Sequence, residues 1–305
     1  MSLALLFPGQ GTQHPAMLSW LDQEPAARDA LSLLDAALGR DWRNRLQDQA
    51  WSSSNTVAQS VLTGLGIAAW SCLAPYVASP VVCAGYSVGE LPAFCAAGVF
   101  DAATAMQLAQ VRAAAMERSV AGQDTGLTAV QGVGQPIIEA ACARHAVAVA
   151  IRQSADRFVL GGLAEAILRA EIDLASRGAR CTRLAVRVAS HTTLVAAAAR
   201  DFGQQLEAMT FQTPHTALVC NLTGTAVRAA AELKRALAEQ IANTVRWDEC
   251  MEWMAERRVA CVLEVGPGSS LSKLWNEIHP EVPARSIDEF RSAEAVIRWL
   301  RASVV

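Results

Sequence analysis

A serine held between two glycines is the feature that most constrains the fold of this chain. The segment reads Gly85-Tyr86-Ser87-Val88-Gly89, and it lies between the apolar run 81–84 and a stretch that can open a helix at Pro92. A strand, a tight turn and a helix in this order build a nucleophile elbow, whose flanking residues must lack bulk. We therefore predict that Ser87 projects from the turn into a cleft, with the backbone N–H of Val88 beside it as an oxyanion donor. A plain structural turn is the alternative.

The composition narrows the class of protein. The chain has 305 residues, about two domains' worth, with 52% apolar residues, 18% charged residues and a net charge of -3. That balance argues against bulk electrostatic binding to nucleic acid or to a membrane. Eight cysteines form no C-x-x-C pair, so we expect reduced thiols in the cytoplasm and neither a metal site nor a tightly bound cofactor. The N-terminus has no basic segment of the kind that opens a signal peptide.

One long stretch without charge invites a membrane assignment. Residues 51–89 contain no Asp, Glu, Lys or Arg. However, Pro75 and Pro80 interrupt the stretch, and polar residues are spread along its first half. We therefore predict a buried helix over residues 56–74, followed by the strand that leads into the elbow.

The order of elements predicts an α/β fold with an inserted small subdomain. Periodicity after Gly122 indicates the sequence β-α-β-β-α-β, which is the ferredoxin-like unit. The remaining strands and helices alternate, as in a mostly parallel sheet covered by helices. We predict a large domain of the α/β-hydrolase-like class over residues 1–123 and 190–305, and a small ferredoxin-like subdomain over residues 124–189.

A serine nucleophile needs a general base and a second oxyanion donor. His191 follows a predicted strand over residues 181–188 and is the best base candidate, with His14 second; a structural histidine is the alternative. The Gly-rich turn 8–13 follows the first predicted strand, Leu3 to Phe7, and can expose backbone N–H groups. A simple tight turn is the other interpretation of that segment.

Three motifs together resemble one family. They are Phe7-Pro8-Gly9-Gln10-Gly11-Thr12-Gln13, then the elbow extended to Glu90, then Glu264-Val265-Gly266-Pro267-Gly268. In this order they are similar to the malonyl-CoA:acyl carrier protein transacylases, and the resemblance spans nearly the whole chain. It implies an α/β-hydrolase-like domain that carries an inserted small subdomain.

The resemblance also implies a role for individual residues. These are Ser87 as nucleophile, His191 as base, the N–H groups of Gln10 and Val88 as oxyanion hole, Arg112 for the substrate carboxylate, and the main-chain carbonyl of Gln240 to orient the histidine. The residues around Arg112 are mostly apolar, and a buried guanidinium needs an anionic partner that matches its fork. A malonyl carboxylate is such a partner, and a structural ion pair is the alternative.

Some positions depart from the family pattern. Tyr86 stands where the family has histidine, and Gln153-Ser154-Ala155-Asp156 stands in place of Asn-Ser-Pro-Gly. Tyr86 and Ser190 are candidate pocket residues, and the small residues before His191 do not exclude a methyl branch on the acyl group by size. Tyr86 and the first motif most resemble the malonate decarboxylase epsilon subunit.

The expected activity is a ping-pong acyl transfer. Malonyl-CoA would acylate Ser87, coenzyme A would leave, and the phosphopantetheine-type thiol of a carrier protein would take the malonyl group. The expected carrier is the small subunit of malonate decarboxylase; the alternatives are the fatty-acid carrier, a serine ester or thioester hydrolase, and an inactive docking subunit. A basic patch formed by Arg177, Arg180, Arg183 and Arg187 is a candidate docking site for an acidic carrier, or simply a solvated face.

Overall fold

The computed structural model describes residues 2–303, which form two β-sheets and the helices that cover them. The strands, in chain order, are β1 (Leu3–Phe7), β2 (Val82–Gly85), β3 (Thr125–Gln131), β4 (Ala148–Ser154), β5 (Arg157–Leu163), β6 (Arg180–Arg183), β7 (Ala217–Val219), β8 (Ala226–Val227), β9 (Val245–Arg246), β10 (Cys261–Glu264) and β11 (Ala284–Ser286).

The helices alternate with these strands over most of the chain. They are α1 (Arg28–Leu38), α2 (Trp42–Arg45), α3 (Gln49–Ser52), α4 (Asn55–Leu73), α5 (Glu90–Ala96), α6 (Ala102–Ser119), α7 (Gln135–His145), α8 (Ala164–Ser176), α9 (Ala196–Glu207), α10 (Ala230–Glu239), α11 (Trp247–Ala255), α12 (Ser270–Ile278) and α13 (Ala293–Ala302).

The larger sheet has the strand order β11-β10-β1-β2-β7-β8 and is parallel except at its β8 edge. Strand β1 lies between β10 and β2, with Ala4 opposite Val262 and Val82. Side chains of β1 alternate between two cores: Leu5 packs in one hydrophobic cluster and Leu6 in the other. Because both faces are buried, the strand is apolar throughout, as parallel sheets require.

The smaller sheet has the order β6-β3-β5-β4-β9 and contains the predicted β-α-β-β-α-β unit. Strands β6, β3, β5 and β4 pair antiparallel in the ferredoxin-like order, which confirms the predicted fold class. The fifth strand, β9, comes from outside segment 124–189 and pairs parallel with β4, with Ile151 opposite Val245. This pairing ties the small sheet to the chain that follows the small unit.

The strand predicted over residues 181–188 is shorter than expected. Strand β6 ends at Arg183. Leu184 still donates its N–H to the Leu127 carbonyl oxygen on β3, and Leu184 and Val186 line the cleft between the two sheets. A 3-10 turn at Thr193–Val195 precedes helix α9.

The charge-free stretch forms a core helix, as predicted. Within residues 2–303, the segment Asn55–Tyr76 is the one helix with the length and hydropathy to cross a membrane, and 83% of an 18-residue stretch of it is buried inside the fold. Helix α4 packs against α1 and α6, so its apolar surface is covered on several sides by protein.

Candidate active site

The nucleophile elbow lies between β2 and α5. Ser87 has φ of 57°, a left-handed conformation that is unusual for a residue with a side chain, and a 3-10 turn over Ser87–Gly89 follows. A Cβ atom on Gly85 would lie 2.0 Å from the backbone of Gly89, and one on Gly89 would lie 2.2 Å from the carbonyl oxygen of Phe7. The glycine requirement expected from the sequence is therefore set by backbone atoms on both sides of the serine.

Ser87, His191 and Gln240 form one hydrogen-bonded line. The Oγ of Ser87 lies 2.7 Å from Nε2 of His191, and Nδ1 of His191 lies 2.6 Å from the carbonyl oxygen of Gln240. A carbonyl oxygen only accepts, so the ring proton is on Nδ1 and Nε2 is bare. The Ser87 hydroxyl therefore donates to Nε2, which is the arrangement that lets the imidazole take the hydroxyl proton.

The backbone also fixes the position of His191. Its φ is 62°, and its N–H donates to the carbonyl oxygen of Ile241 at 2.7 Å. Two successive carbonyls from the end of α10, those of Gln240 and Ile241, thus hold the ring and the backbone of this residue. No carboxylate is needed to fix the tautomer.

Burial keeps the His191 ring neutral. Burial, with the positive charge of Arg112 second, lowers the pKa of His191 to about 3, against the opposing effect of the hydrogen bond to Gln240. At neutral pH the ring is therefore in the form that accepts a proton.

Arg112 reaches Ser87 from helix α6. The side chain is fully buried; Nη2 donates to Ser87 Oγ at 3.3 Å and Nη1 donates to Gln59 Oε1 at 2.8 Å. Burial lowers the pKa of Arg112 to about 10, opposed by the charge of Glu90, so the guanidinium stays cationic at neutral pH. Its Nε–H is buried and has no hydrogen-bond partner among residues 2–303. The site therefore presents an incompletely satisfied cation beside the serine.

Asn221 is a site residue that the sequence analysis missed. Its Oδ1 accepts from the Ser87 N–H at 2.7 Å, its Nδ2 donates to the Gly85 carbonyl at 2.6 Å, and its own N–H donates to Glu90 Oε1 at 2.7 Å. The carboxamide thus bridges both sides of the elbow. Asn221 follows the carboxyl end of β7, next to β2 in the sheet, and polar residues at neighbouring strand ends are the signal that identifies it.

Gln59 and Glu90 are two further buried polar residues near the site. Gln59 lies on α4, accepts from Arg112 and donates to Asn55 Oδ1 at 2.8 Å, so it positions the guanidinium. Burial raises the pKa of Glu90 to about 8, against the Asn221 N–H and the charge of Arg112. Gln59 lies inside a helical pattern that looks like ordinary core, and Glu90 entered the sequence analysis only as the last residue of the elbow motif, without a role.

Tyr86 is held on both sides. Its hydroxyl accepts from Gln153 Nε2 at 2.8 Å, and its ring packs edge-on against Trp247 at a centroid distance of 5.2 Å. A Cβ on Gly9 would lie 2.8 Å from the Tyr86 ring, so Gly9 leaves room for it. Two positions that depart from the family pattern, Tyr86 and Gln153, therefore contact each other. Burial raises the pKa of the phenol, which stays protonated.

Part of the predicted set lines one cavity of about 310 Å³ between the two sheets, whereas Val88, Arg112 and Gln240 are buried and do not line it. Its lining includes Gln10, Tyr86, Ser87, Ser190 and His191, together with residues of the small sheet. Val88 is buried directly after the serine in the 3-10 turn, where its N–H has no partner earlier in the same helix.

Other candidates lie elsewhere. His14, the second base candidate, has Nε2 at 2.6 Å from Asp288 Oδ2 and does not contact Ser87. All eight cysteines are free thiols in the described chain. Residues 2–303 contain no group of three or more His, Cys, Asp or Glu side chains that could hold a metal ion.

The chain is similar over nearly its whole length to proteins of known family. A family model described as acyl transferase domain matches residues 4–301. The chain is 30% identical to the malonyl CoA-acyl carrier protein transacylase of Salmonella typhimurium, over 96% of this chain and 98% of the relative. It is 32% identical to the protein of the same name from Haemophilus influenzae, over 97% and 98%.

Solved structures show the same fold. The acyl-carrier-protein S-malonyltransferase of Burkholderia pseudomallei superposes with a TM-score of 0.90 at 28% identity, covering 98% of this chain and all of that one. A malonyl-transacylase solved with its type II PKS acyl-carrier protein gives a TM-score of 0.91 at 29% identity, covering 98% and 99%.

Proposed function

This chain belongs to the acyl transferase domain family and is an acyltransferase, and from that premise we propose that it transfers malonyl groups from coenzyme A to the thiol of an acyl carrier protein. One observation supports this most: Ser87 Oγ lies 2.7 Å from a neutral imidazole nitrogen and 3.3 Å from the buried guanidinium of Arg112. The first contact serves a nucleophile, and the second serves an acyl group that carries a carboxylate.

The first half of the reaction loads the serine. Ser87 Oγ attacks the thioester carbonyl carbon as His191 Nε2 takes the hydroxyl proton, and the carbonyl oxygen becomes an oxyanion that the N–H groups of Gln10 and Val88 stabilise. When the C–S bond breaks, the imidazolium returns its proton to the leaving sulfur. The products are malonyl-Ser87 and free coenzyme A.

The second half reverses these roles. The carrier thiol gives its proton to His191 and its sulfur attacks the ester carbonyl. The C–O bond to Ser87 then breaks and Ser87 regains the proton from His191. A main-chain carbonyl, that of Gln240, orients the ring in both halves. In the first half the leaving group is a thiolate, which needs less assistance than an amine does.

Arg112 selects the acyl group by charge. A carboxylate at the guanidinium replaces the weak contact to Ser87 Oγ with charge-assisted hydrogen bonds in a buried setting. An acetyl group has no carboxylate, so the Arg112 guanidinium gains no anionic partner from it.

Two carriers remain candidates for the acceptor. The relatives reported above bear the name malonyl CoA-acyl carrier protein transacylase, which favours the alternative of a fatty-acid-type carrier over the malonate decarboxylase subunit that the sequence analysis preferred. Tyr86, which stands where the family has histidine, is the feature that still supports the malonate decarboxylase carrier.

Initial-rate kinetics with malonyl-CoA and a holo carrier protein test the proposal. A ping-pong mechanism predicts parallel double-reciprocal lines as the carrier concentration varies. A comparison of kcat/KM for a fatty-acid carrier and a malonate decarboxylase carrier assigns the acceptor. Release of free malonate at the same rate with and without a carrier would instead indicate a hydrolase.

A further inference from the structure

The cavity around Ser87 continues into two grooves at the surface. One groove shares Gln153, Arg157 and Leu274 with the cavity, and the other shares Gln10 and Val186 with it. A substrate whose thioester reaches Ser87 therefore has two directions in which its long arm can extend. The two grooves differ in charge, and this difference indicates which of them the arm occupies.

The first groove, of about 510 Å³, is acidic. Four carboxylate residues line it: Asp156, Asp248, Glu252 and Glu277. The one arginine in its lining, Arg157, is already paired with Glu277, with Nη2 and Oε2 2.6 Å apart. Asp248 is likewise paired with Arg152, at 3.4 Å. Asp156 and Glu252 form no ion pair with any described residue, so a phosphate-bearing arm would meet net repulsion along this path.

The second groove, of about 300 Å³, is lined mainly by neutral polar and small side chains, including Ser53, Ser54 and Gln123. Its charged lining residues are Arg187 and Glu117. The groove meets the cavity at Gln10, whose N–H is the proposed oxyanion donor, and at Val186.

Arg187 is the available cation on that path. It is exposed and forms no ion pair with any residue in the range 2–303. Two other members of the four-arginine patch are occupied: Arg177 pairs with Asp173 and Arg183 pairs with Glu171. Arg180 is exposed and lies outside the linings of both grooves.

We infer that the phosphopantetheine-type arm of donor and acceptor lies in the second groove, and that Arg187 binds the phosphate at its outer end. This inference rests on the proposed function, since it takes the thioester substrate from there. The phosphate is present in both coenzyme A and a holo carrier. A guanidinium fits a phosphate with two parallel hydrogen bonds, and the exposed position makes the contact dependent on ionic strength.

Charge reversal at Arg187 tests the inference. For Arg187→Glu we expect KM for malonyl-CoA to rise about tenfold with little change in kcat, and the difference to shrink at high salt. With malonyl-pantetheine, which has no phosphate, we expect kcat/KM to equal that of the wild type. Arg228→Glu is the matched control, because it makes the same charge change at an exposed arginine that lies outside both grooves and outside the four-arginine patch.

The same variants separate the two phosphate sources. A rise in KM for malonyl-CoA and for the holo carrier supports a shared phosphate site; a rise for malonyl-CoA alone restricts the site to the coenzyme. Equal losses with malonyl-CoA and malonyl-pantetheine, or an unchanged KM, would overturn the inference. So would a lower KM in Glu252→Lys together with no effect of Arg187→Glu, because that result places the arm in the acidic groove. If the wild type is not acylated by either thioester, the proposed function itself fails.

Discussion

Arg112→Ala should remove the preference for acyl groups that carry a carboxylate. In the wild type the guanidinium is fully buried and lies 3.3 Å from Ser87 Oγ, so a malonyl group on that serine places its carboxylate in the same buried region. Removing one partner of a buried ion pair costs about 3–5 kcal/mol. The lower figure corresponds to a loss of about 150-fold in the rate constant for acylation by malonyl-CoA. Acetyl-CoA has no carboxylate, and its rate constant should change by less than about fivefold.

Single-turnover acylation followed by rapid quenching measures both rate constants on one protein preparation. The acetyl reaction serves as the internal control for folding, because a misfolded variant loses both activities. Arg118→Ala, an exposed change on the same helix, should leave both rate constants unchanged. Equal losses for the two thioesters in Arg112→Ala, or no loss for malonyl-CoA, would refute the assignment of this arginine to the substrate carboxylate.

Three further predictions concern the serine and its surroundings. Because the pKa of His191 is about 3, the base stays neutral on acidification, and the acylation rate constant at pH 5 should lie within about twofold of that at pH 7.5. An imidazole of ordinary pKa would lose about 30-fold, and a stopped-flow pH profile distinguishes the two. Asn221→Ala should slow acylation about tenfold, because it leaves the Ser87 N–H and the Gly85 carbonyl unpaired. Calorimetry in a Ser87→Ala background should show unchanged binding of malonyl-CoA. A parallel loss of binding would contradict a positioning role for Asn221. Gly85→Ala should destabilise the fold by about 3 kcal/mol, because the alanine Cβ would lie 2.0 Å from the backbone of Gly89. An unchanged midpoint in urea unfolding would show instead that the turn relaxes freely.

Much of the fold follows from local patterns in the sequence. Strand β1 has the predicted bounds, Leu3–Phe7, and helix α4 begins and ends within one residue of its prediction, because a charge-free run between Pro75 and polar caps has few other solutions. The two-residue strand β9 was not predicted, since a segment of that length has no periodicity and is a strand only through its pairing with β4. The early end of β6 has a related cause: the residues after Arg183 have strand-like composition but line the active-site cavity.

The site residues likewise divide into those that local sequence patterns predict and those that they do not. Ser87 and its glycines follow from the steric demands of a tight turn, and their positions could be predicted from the residues alone. Arg112, Gln240 and Gln10 depended on the family resemblance, because a lone arginine, a helix-end carbonyl and a turn amide have no local signature. Asn221 escaped both routes, since its importance comes from hydrogen bonds to residues more than 130 positions away in the chain.

The central claim is that Ser87 holds a malonyl group between donor and carrier, and intact-protein mass spectrometry after brief mixing tests it most directly. The wild type should gain the mass of one malonyl group with malonyl-CoA, and a much smaller fraction of it should carry an acetyl group after the same mixing time with acetyl-CoA. Ser87→Ala should gain nothing, and addition of a holo carrier should remove the malonyl group from the wild type. No adduct on the wild type, or an adduct that persists in Ser87→Ala, would contradict the account.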